Sequence, residues 1–235
     1  MIFHRYFFDP KGTLNDLENT NRAIWRSSEA IGIISGDGII LSVTRGKYSA
    51  SKGNSRITTR IFLLDSHIVC VVSGLIPDAN FLINHARIQA QHYKQIFQKI
   101  IPIKKILEEI CDIKYNFTTR GNARLFGVSF MIAGWNDFNT PIIYKTDPDG
   151  RNWSFLGAAI GCDSLINQDS LREVFDRNYN INIVLGIVLN LFSKKYNFYD
   201  IAEFLDVAIL KKNDENKLFF NLLNKKTMLR FFKFK

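Results

Sequence analysis

The stretch FGVSFMIAGWNDFNTPIIYKTDPDG, residues 126–150, decides the reading of this chain. Its first ten residues, Phe126 to Trp135, are apolar but for Ser129, and a run of that length suits a strand buried on both faces of a layered core. After a polar turn at Asn136 to Asn139, a second apolar run, Ile142-Ile143-Tyr144, leads into Asp147-Pro148-Asp149-Gly150. Pro there presets φ, and Gly can take a positive φ. The segment predicts an antiparallel hairpin at the heart of a sheet and contains no obvious catalyst.

Upstream of it, Pro102 opens a helix with Ile103, Ile106, Leu107, Ile110, Cys111 and Ile113 as its buried face. Pro77-Asp78 suits the first turn of another, because a missing N–H costs nothing there and a carboxylate favours the helix dipole. Its apolar residues Ala79, Leu82, Ile83, Ala86, Ala90, Tyr93 and Phe97 recur at three- and four-residue steps. Earlier still, strands are expected at 57–64 and 68–73 across Asp65-Ser66, and at 30–34 and 39–43 across Gly36-Asp37-Gly38, a two-residue hairpin signal rather than a phosphate loop. Thr13 suits the N-cap of a first helix, with Asp16 in capping-box register. Its apolar stripe, Leu14, Leu17, Ala23 and Ile24, is thin enough to suit a helix that covers a surface or meets a neighbouring chain.

Downstream, the pattern predicts a strand from Trp153 to Ile160, helices at 165–175 and 181–192, strands at 207–210 and 218–220, and a basic C-terminal helix from Asn224 to Phe234. Strands, two helices, strands, two helices, strands is the order of an α/β (α+β) four-layer αββα sandwich, two antiparallel sheets between helix layers.

Composition narrows the function. With 235 residues and 46% apolar content the chain can bury a full core, which excludes disorder. The net charge of +9 is scattered from Arg5 to Lys235 without a recognisable nucleic-acid module, so no nucleic-acid partner is expected. Cys70, Cys111 and Cys162 form no CxxC and read as reduced thiols of a cytosolic or nuclear protein. The N-terminus is apolar only as far as Asp9-Pro10 and no run reaches transmembrane length, so neither a signal peptide nor a membrane partner is expected. His85 and His92 share a helix face without carboxylate or Cys partners at ligand spacing, and Glu108 and Glu109 point apart on their helix. No metal, cofactor or acid/base pair is expected from these patterns.

Several strings together resemble a known family. Ser73-Gly74-Leu75-Ile76-Pro77-Asp78-Ala79, Ala86-Arg87, Ala90-Gln91, Phe126-Gly127-Val128-Ser129, the Asp147-Pro148-Asp149-Gly150 turn and Ala159-Ile160-Gly161 resemble, in order and spacing, the signature of α-type subunits of the 20S proteasome core particle. Ala90-Gln91-His92-Tyr93, Cys111-Asp112-Ile113-Lys114 and Ala133-Gly134-Trp135-Asn136 look most like the α3 branch, alpha type 4. The resemblance implies an Ntn-hydrolase-like fold and a noncatalytic place in a seven-membered α-ring stacked on a β-ring. It also implies a part in gating and activator docking during ubiquitin-dependent degradation in cytoplasm and nucleus.

By alignment with catalytic β-type relatives, the nucleophile, acid and base-tuning positions fall on Ser28, Thr44 and Arg60. An internal Ser28 has no free α-amino group, Thr44 no charge, and Arg60 no means of deprotonating, so no catalytic residue is expected. The resemblance assigns Arg60, which stands where the family has Lys, and Pro10 to an activator pocket, where a bound tail carboxylate would pair with Arg60. It assigns Tyr6, Phe7, Phe8 and Asp9 to the gate, dividing the chain into a gate-region extension, 1–12, and one domain, 13–235. Two other readings stand beside it: an active N-terminal-nucleophile peptidase of the same superfold, and a basic nucleic-acid-binding protein.

Overall fold

Helix α1 (Asn15–Trp25) leads into the hairpin β1 (Ala30–Ser35) and β2 (Gly38–Thr44), followed by β3 (Ile61–Asp65) and β4 (Ile68–Gly74). Helices α2 (Ile76–Phe97) and α3 (Ile103–Thr119) precede β5 (Val128–Trp135), β6 (Pro141–Thr146), β7 (Asn152–Phe155) and β8 (Gly157–Ile160). Then come α4 (Ser164–Val174), α5 (Ile181–Ser193), β9 (Leu205–Lys212) and β10 (Leu218–Leu222). This is a computed structural model, and it describes residues 14–45, 59–119, 124–136, 139–174, 176, 178–197, 201, 203–212, 218–223 and 227–228.

The strands form two five-stranded antiparallel sheets, ordered β3-β4-β5-β6-β7 and β10-β9-β2-β1-β8. The opening hairpin holds as predicted. β5 is the middle strand of its sheet, with seven of its eight residues buried, and Gly150 in the turn after β6 takes φ +89°.

Strand periodicity sorts the core into three apolar layers. From β4 and β5, Ile68, Cys70, Val72, Val128, Phe130 and Ile132 pack against Leu82, Ile83, Ile106 and Ile110 of α2 and α3. Their alternates Val69, Val71, Met131 and Ala133 meet Leu41, Val43, Ala158 and Leu210 between the sheets. On the far side, Ile31, Ile33, Ile40 and Val207 lie under Val184, Val188 and Phe192 of α5. Helices, sheet, sheet and helices are therefore stacked as four layers, the predicted αββα sandwich.

Four expectations need correction or fall outside the described residues. The segment Trp153 to Ile160 is two strands, since β7 pairs with β6 while β8 pairs with β1 in the other sheet. The chain changes sheets at Leu156, whose carbonyl accepts the Ile34 N–H at 2.8 Å. The run Phe155 to Ile160 has no polar break at the crossing, so it could not reveal a change of partner. The cap of α1 is Leu14 without a side-chain bond, and Thr13 lies outside the described residues. Of the C-terminal helix only Thr227 and Met228 are described, and Met228 is buried in the α4/α5 layer. On α3, Ile113 is only partly buried, and Lys114 is wholly buried beside it.

Lys114 Nζ donates to Val128 O at 3.0 Å, Thr146 Oγ1 at 2.7 Å and Asp147 O at 3.2 Å, so its three donors meet three neutral acceptors. It also lies 4.8 Å from the centre of the Phe130 ring. Burial pulls its pKa down to about 8. One side chain thus ties α3 to the start of β5 and the end of β6. Asp78 does the same for α2, accepting Arg124 at 2.6 and 2.8 Å and the Gly127 N–H at 2.8 Å. Burial raises the Asp78 pKa, but Arg124 and Gly127 outweigh it and hold the carboxyl below the usual range.

Candidate functional site

At one end of the sandwich the chain leaves α1 through Ser27-Ser28-Glu29, β2 ends at Thr44, and Arg60 precedes β3. These three ends and the residues after α5 enclose a cleft of about 820 Å³, whose walls include Arg45, Cys162, Lys195 and Tyr196. The size is that of an ordinary ligand pocket. Ser28, Thr44 and Arg60, far apart in sequence, all line it.

None of the three is arranged for hydrolysis. Ser28 is 5% exposed and its Oγ has no hydrogen-bond partner among the described residues, so none of their basic groups is in contact with it. Its own carbonyl accepts the Ser73 hydroxyl at 2.6 Å, and its nitrogen is engaged in the peptide bond from Ser27. Thr44 Oγ1 accepts the Glu29 N–H at 3.0 Å and serves the backbone instead of a reaction. Arg60 Nη1 donates to Gly74 O at 3.2 Å, its Nε has no partner among the described residues, and burial pushes its pKa down. What remains is a positive group at a pocket wall, facing a carbonyl rather than a carboxylate.

Of the other charged residues in the cleft walls, Glu29, Lys195 and Arg45 are ion-paired, while Arg26 is exposed. Glu29, 2% exposed, accepts Lys195 Nζ at 2.9 Å and also the Asn167 amide. Lys195 reaches Asp163 Oδ2 at 3.0 Å. Burial lowers the Lys195 pKa, but its bonds to Glu29 and Asp163 outweigh that and hold it up, while Lys195 pulls Asp163 down. Arg45 Nε donates to Asp206 at 3.0 Å. The Cys162 thiol is pushed up by burial and by Asp163, so it does not supply a ready thiolate.

The sequence anticipated Ser28, Thr44 and Arg60 and missed the Glu29–Lys195–Asp163 cluster, since 166 residues separate its first two members. A carboxylate standing directly before an apolar strand was the one signal available for it. Pro10, Tyr6, Phe7, Phe8 and Asp9 lie outside the described residues. His85 stands 3.8 Å from Glu109, which Lys105 also approaches at 3.4 Å. Among the described residues, no three His, Cys, Asp or Glu side chains are placed to hold a metal.

A family model described as proteasome subunit matches residues 26–194, from the cleft's Arg26 to the end of α5. The chain belongs to the proteasome subunit family. Proteasome subunit alpha type-4-1 of Oryza sativa subsp. indica is 32% identical over 202 residues, 86% of this chain and 81% of that protein. Proteasome subunit alpha type-4-A of Arabidopsis thaliana is 33% identical over 187 residues, 80% of this chain and 75% of its own length. Proteasome subunit alpha type-4 of Dictyostelium discoideum is 31% identical over 216 residues, covering 90% and 86%.

The resemblance to α-type proteasome subunits, with its α3 lean, is borne out by these relatives. α-type subunits are the noncatalytic subunits of the 20S proteasome. Membership implies assembly with other proteasome subunits.

Proposed function

We propose that this proteasome α-type subunit occupies the alpha type-4 place in a seven-membered outer ring, between two other α-type subunits and stacked on a ring of β-type subunits. There it scaffolds the core particle for ubiquitin-dependent degradation in the cytoplasm and nucleus. Its cleft receives the C-terminal carboxylate of an activator tail at Arg60, and Pro10 takes part in the same docking. The segment 1–12, with Tyr6, Phe7, Phe8 and Asp9, contributes to the gate.

The observation that carries this reading is Arg60 itself. The cleft cations Arg45 and Lys195 each have a carboxylate and Arg26 is exposed, whereas the partly buried Arg60 has, among the described residues, the Gly74 carbonyl as its acceptor. A tail carboxylate supplies the missing anion with bidentate geometry. The thin, half-exposed α1, whose one wholly buried residue is Ile24, supports a helix shared with neighbouring subunits. The test is native mass spectrometry of the particle purified through a tag on this chain. Two copies per particle alongside other α-type subunits are expected; recovery of the chain as a stable monomer would refute the assignment.

A further inference from the structure

The sequence contains two Asp-Gly dipeptides, Asp37-Gly38 and Asp149-Gly150, and no Asn-Gly. A glycine after an aspartate leaves its own nitrogen open to bond with the aspartate side chain, because no Cβ crowds the approach. The nitrogen attacks the Asp Cγ, the acid hydroxyl leaves with the amide hydrogen as water, and a five-membered succinimide results. Water then opens the ring. Attack at the side-chain carbonyl restores aspartate, and attack at the main-chain carbonyl gives isoaspartate, an isomer of unchanged mass whose backbone is one methylene longer.

The fold treats the two sites differently. Both glycine nitrogens are engaged: Gly38 is paired with Ser35 in the last rung of the β1–β2 ladder, and the Gly150 N–H donates to Asp147 O at 3.1 Å. The carboxylates differ. Asp149, whose side chain is 12% exposed, accepts the Arg151 N–H at 3.1 Å through Oδ1 and the Arg151 Nε–H through Oδ2. Its turn is also pressed against α3, where a Cβ on Gly150 would come within 2.6 Å of Cys111 O. Asp37 is exposed at the hairpin tip, and among the described residues nothing donates to its carboxylate. Its side chain is free to turn back on the Gly38 nitrogen, and a terminal rung at an exposed tip opens more readily than the body of a sheet.

We propose that Asp37 is a site of spontaneous isomerisation to isoaspartate in the folded subunit, and that Asp149 is protected. Exchange of Gly38 does not remove the hazard cheaply, since a Cβ there would come within 2.2 Å of Leu210 O in β9. The extra methylene falls between the two residues that close a two-residue turn. Ser35 and Gly38 therefore lose their register, and with it the Ser35 hydroxyl bond to Gly38 O at 3.0 Å. β2 is the middle strand of its sheet, so the fault sits at the sheet's centre. The older copies of this chain become the ones whose hairpin opens first.

The test ages the assembled particle in neutral buffer for several weeks and digests it. Peptides of this chain are then mapped by liquid chromatography with electron-transfer fragmentation, which tells isoaspartate from aspartate at equal mass. Isoaspartate at 37 is expected to exceed that at 149 at least about tenfold, because the Arg151 bonds must open first and one charge-assisted bond is worth about that factor. The chain aged unfolded in urea is expected to isomerise at both positions alike, and Arg151→Ala is expected to raise isoaspartate at 149 in the particle. A brief protease pulse on the aged particle is expected to cut the isoaspartate-bearing copies of this chain ahead of the rest. Equal isoaspartate at both positions in the particle, or none at 37 while the unfolded chain forms it, overturns the proposal. An Arg151→Ala particle in which residue 149 stays intact overturns the carboxylate restraint as the reason, and indiscriminate cutting overturns the opening of the hairpin.

Discussion

Lys114 makes the stability of this protein depend on alkaline pH in a direction opposite to that of most ion-paired lysines. Its ammonium is wholly buried and bonded to neutral oxygens, and burial lowers its pKa from 10.5 to about 8. Between those values the unfolded chain keeps the proton and the folded chain has released it. The unfolded state then binds more protons, so stability rises with pH. A tenfold difference in proton affinity between the two states is worth about 1.4 kcal/mol, and the gain between pH 7.5 and pH 9.5 comes to about 2 kcal/mol.

Replacement by Met at a single pH says little about this. Three oxygens lose a donor at about 1 kcal/mol each, while removal of a buried charge returns a comparable amount. The informative quantity is the stability of the parent minus that of Lys114→Met, measured by urea unfolding of the full chain at pH 7.5, 8.5 and 9.5. Subtraction cancels the tyrosines and cysteines that titrate in the same range. The difference is expected to move in favour of the parent by about 2 kcal/mol across the series. A flat difference would refute the argument from burial. A fall would mean that the three acceptors and the Phe130 ring hold the charge more firmly than water does.

Two further outcomes follow from the same geometry. Ser28→Ala removes a buried hydroxyl that has no partner, so thermal unfolding should be unchanged or up to about 1 kcal/mol more favourable to the fold, and a loss above that would show Ser28 Oγ to be bonded. Asp78→Ala strands the Gly127 N–H and should cost about 1–3 kcal/mol in urea unfolding at pH 7. Because the Asp78 pKa is lowered, that contribution is present above the ordinary aspartate pKa and disappears as pH falls through the folded value, so parent and variant should converge in acid.

The architecture was legible wherever burial and periodicity coincide. The runs Phe126–Trp135 and Ile142–Tyr144, and the three- and four-residue steps of α2, gave the central hairpin and the helix layer because the solvent pattern on each element is imprinted in its own sequence. Leu156 was illegible for the opposite reason: the run Phe155 to Ile160 carries no polar break where the chain changes sheets, and only the strand partners differ. Lys114 escaped because a lysine is assigned to solvent by type, whereas its burial depends on acceptors 14, 32 and 33 residues away. In the cleft, alignment brought Ser28, Thr44 and Arg60 together. The cluster of Glu29 with Lys195 and Asp163 is assembled by tertiary contacts that no local pattern encodes.

The sheet change at Leu156 also sets an order on how the chain can be built. β1 and β2 are made early, yet their outer neighbours in the sheet are β8 and β9. Neither side of that hairpin can be closed until roughly two thirds of the chain has been synthesised. Until then two strands rich in isoleucine, among them Ile31, Ile33, Ile39 and Ile40, present open edges during translation. A nascent chain with that history is exposed to off-pathway pairing, and its yield in the cell should be governed by how quickly the segment 157–160 reaches Ala30 to Ile33.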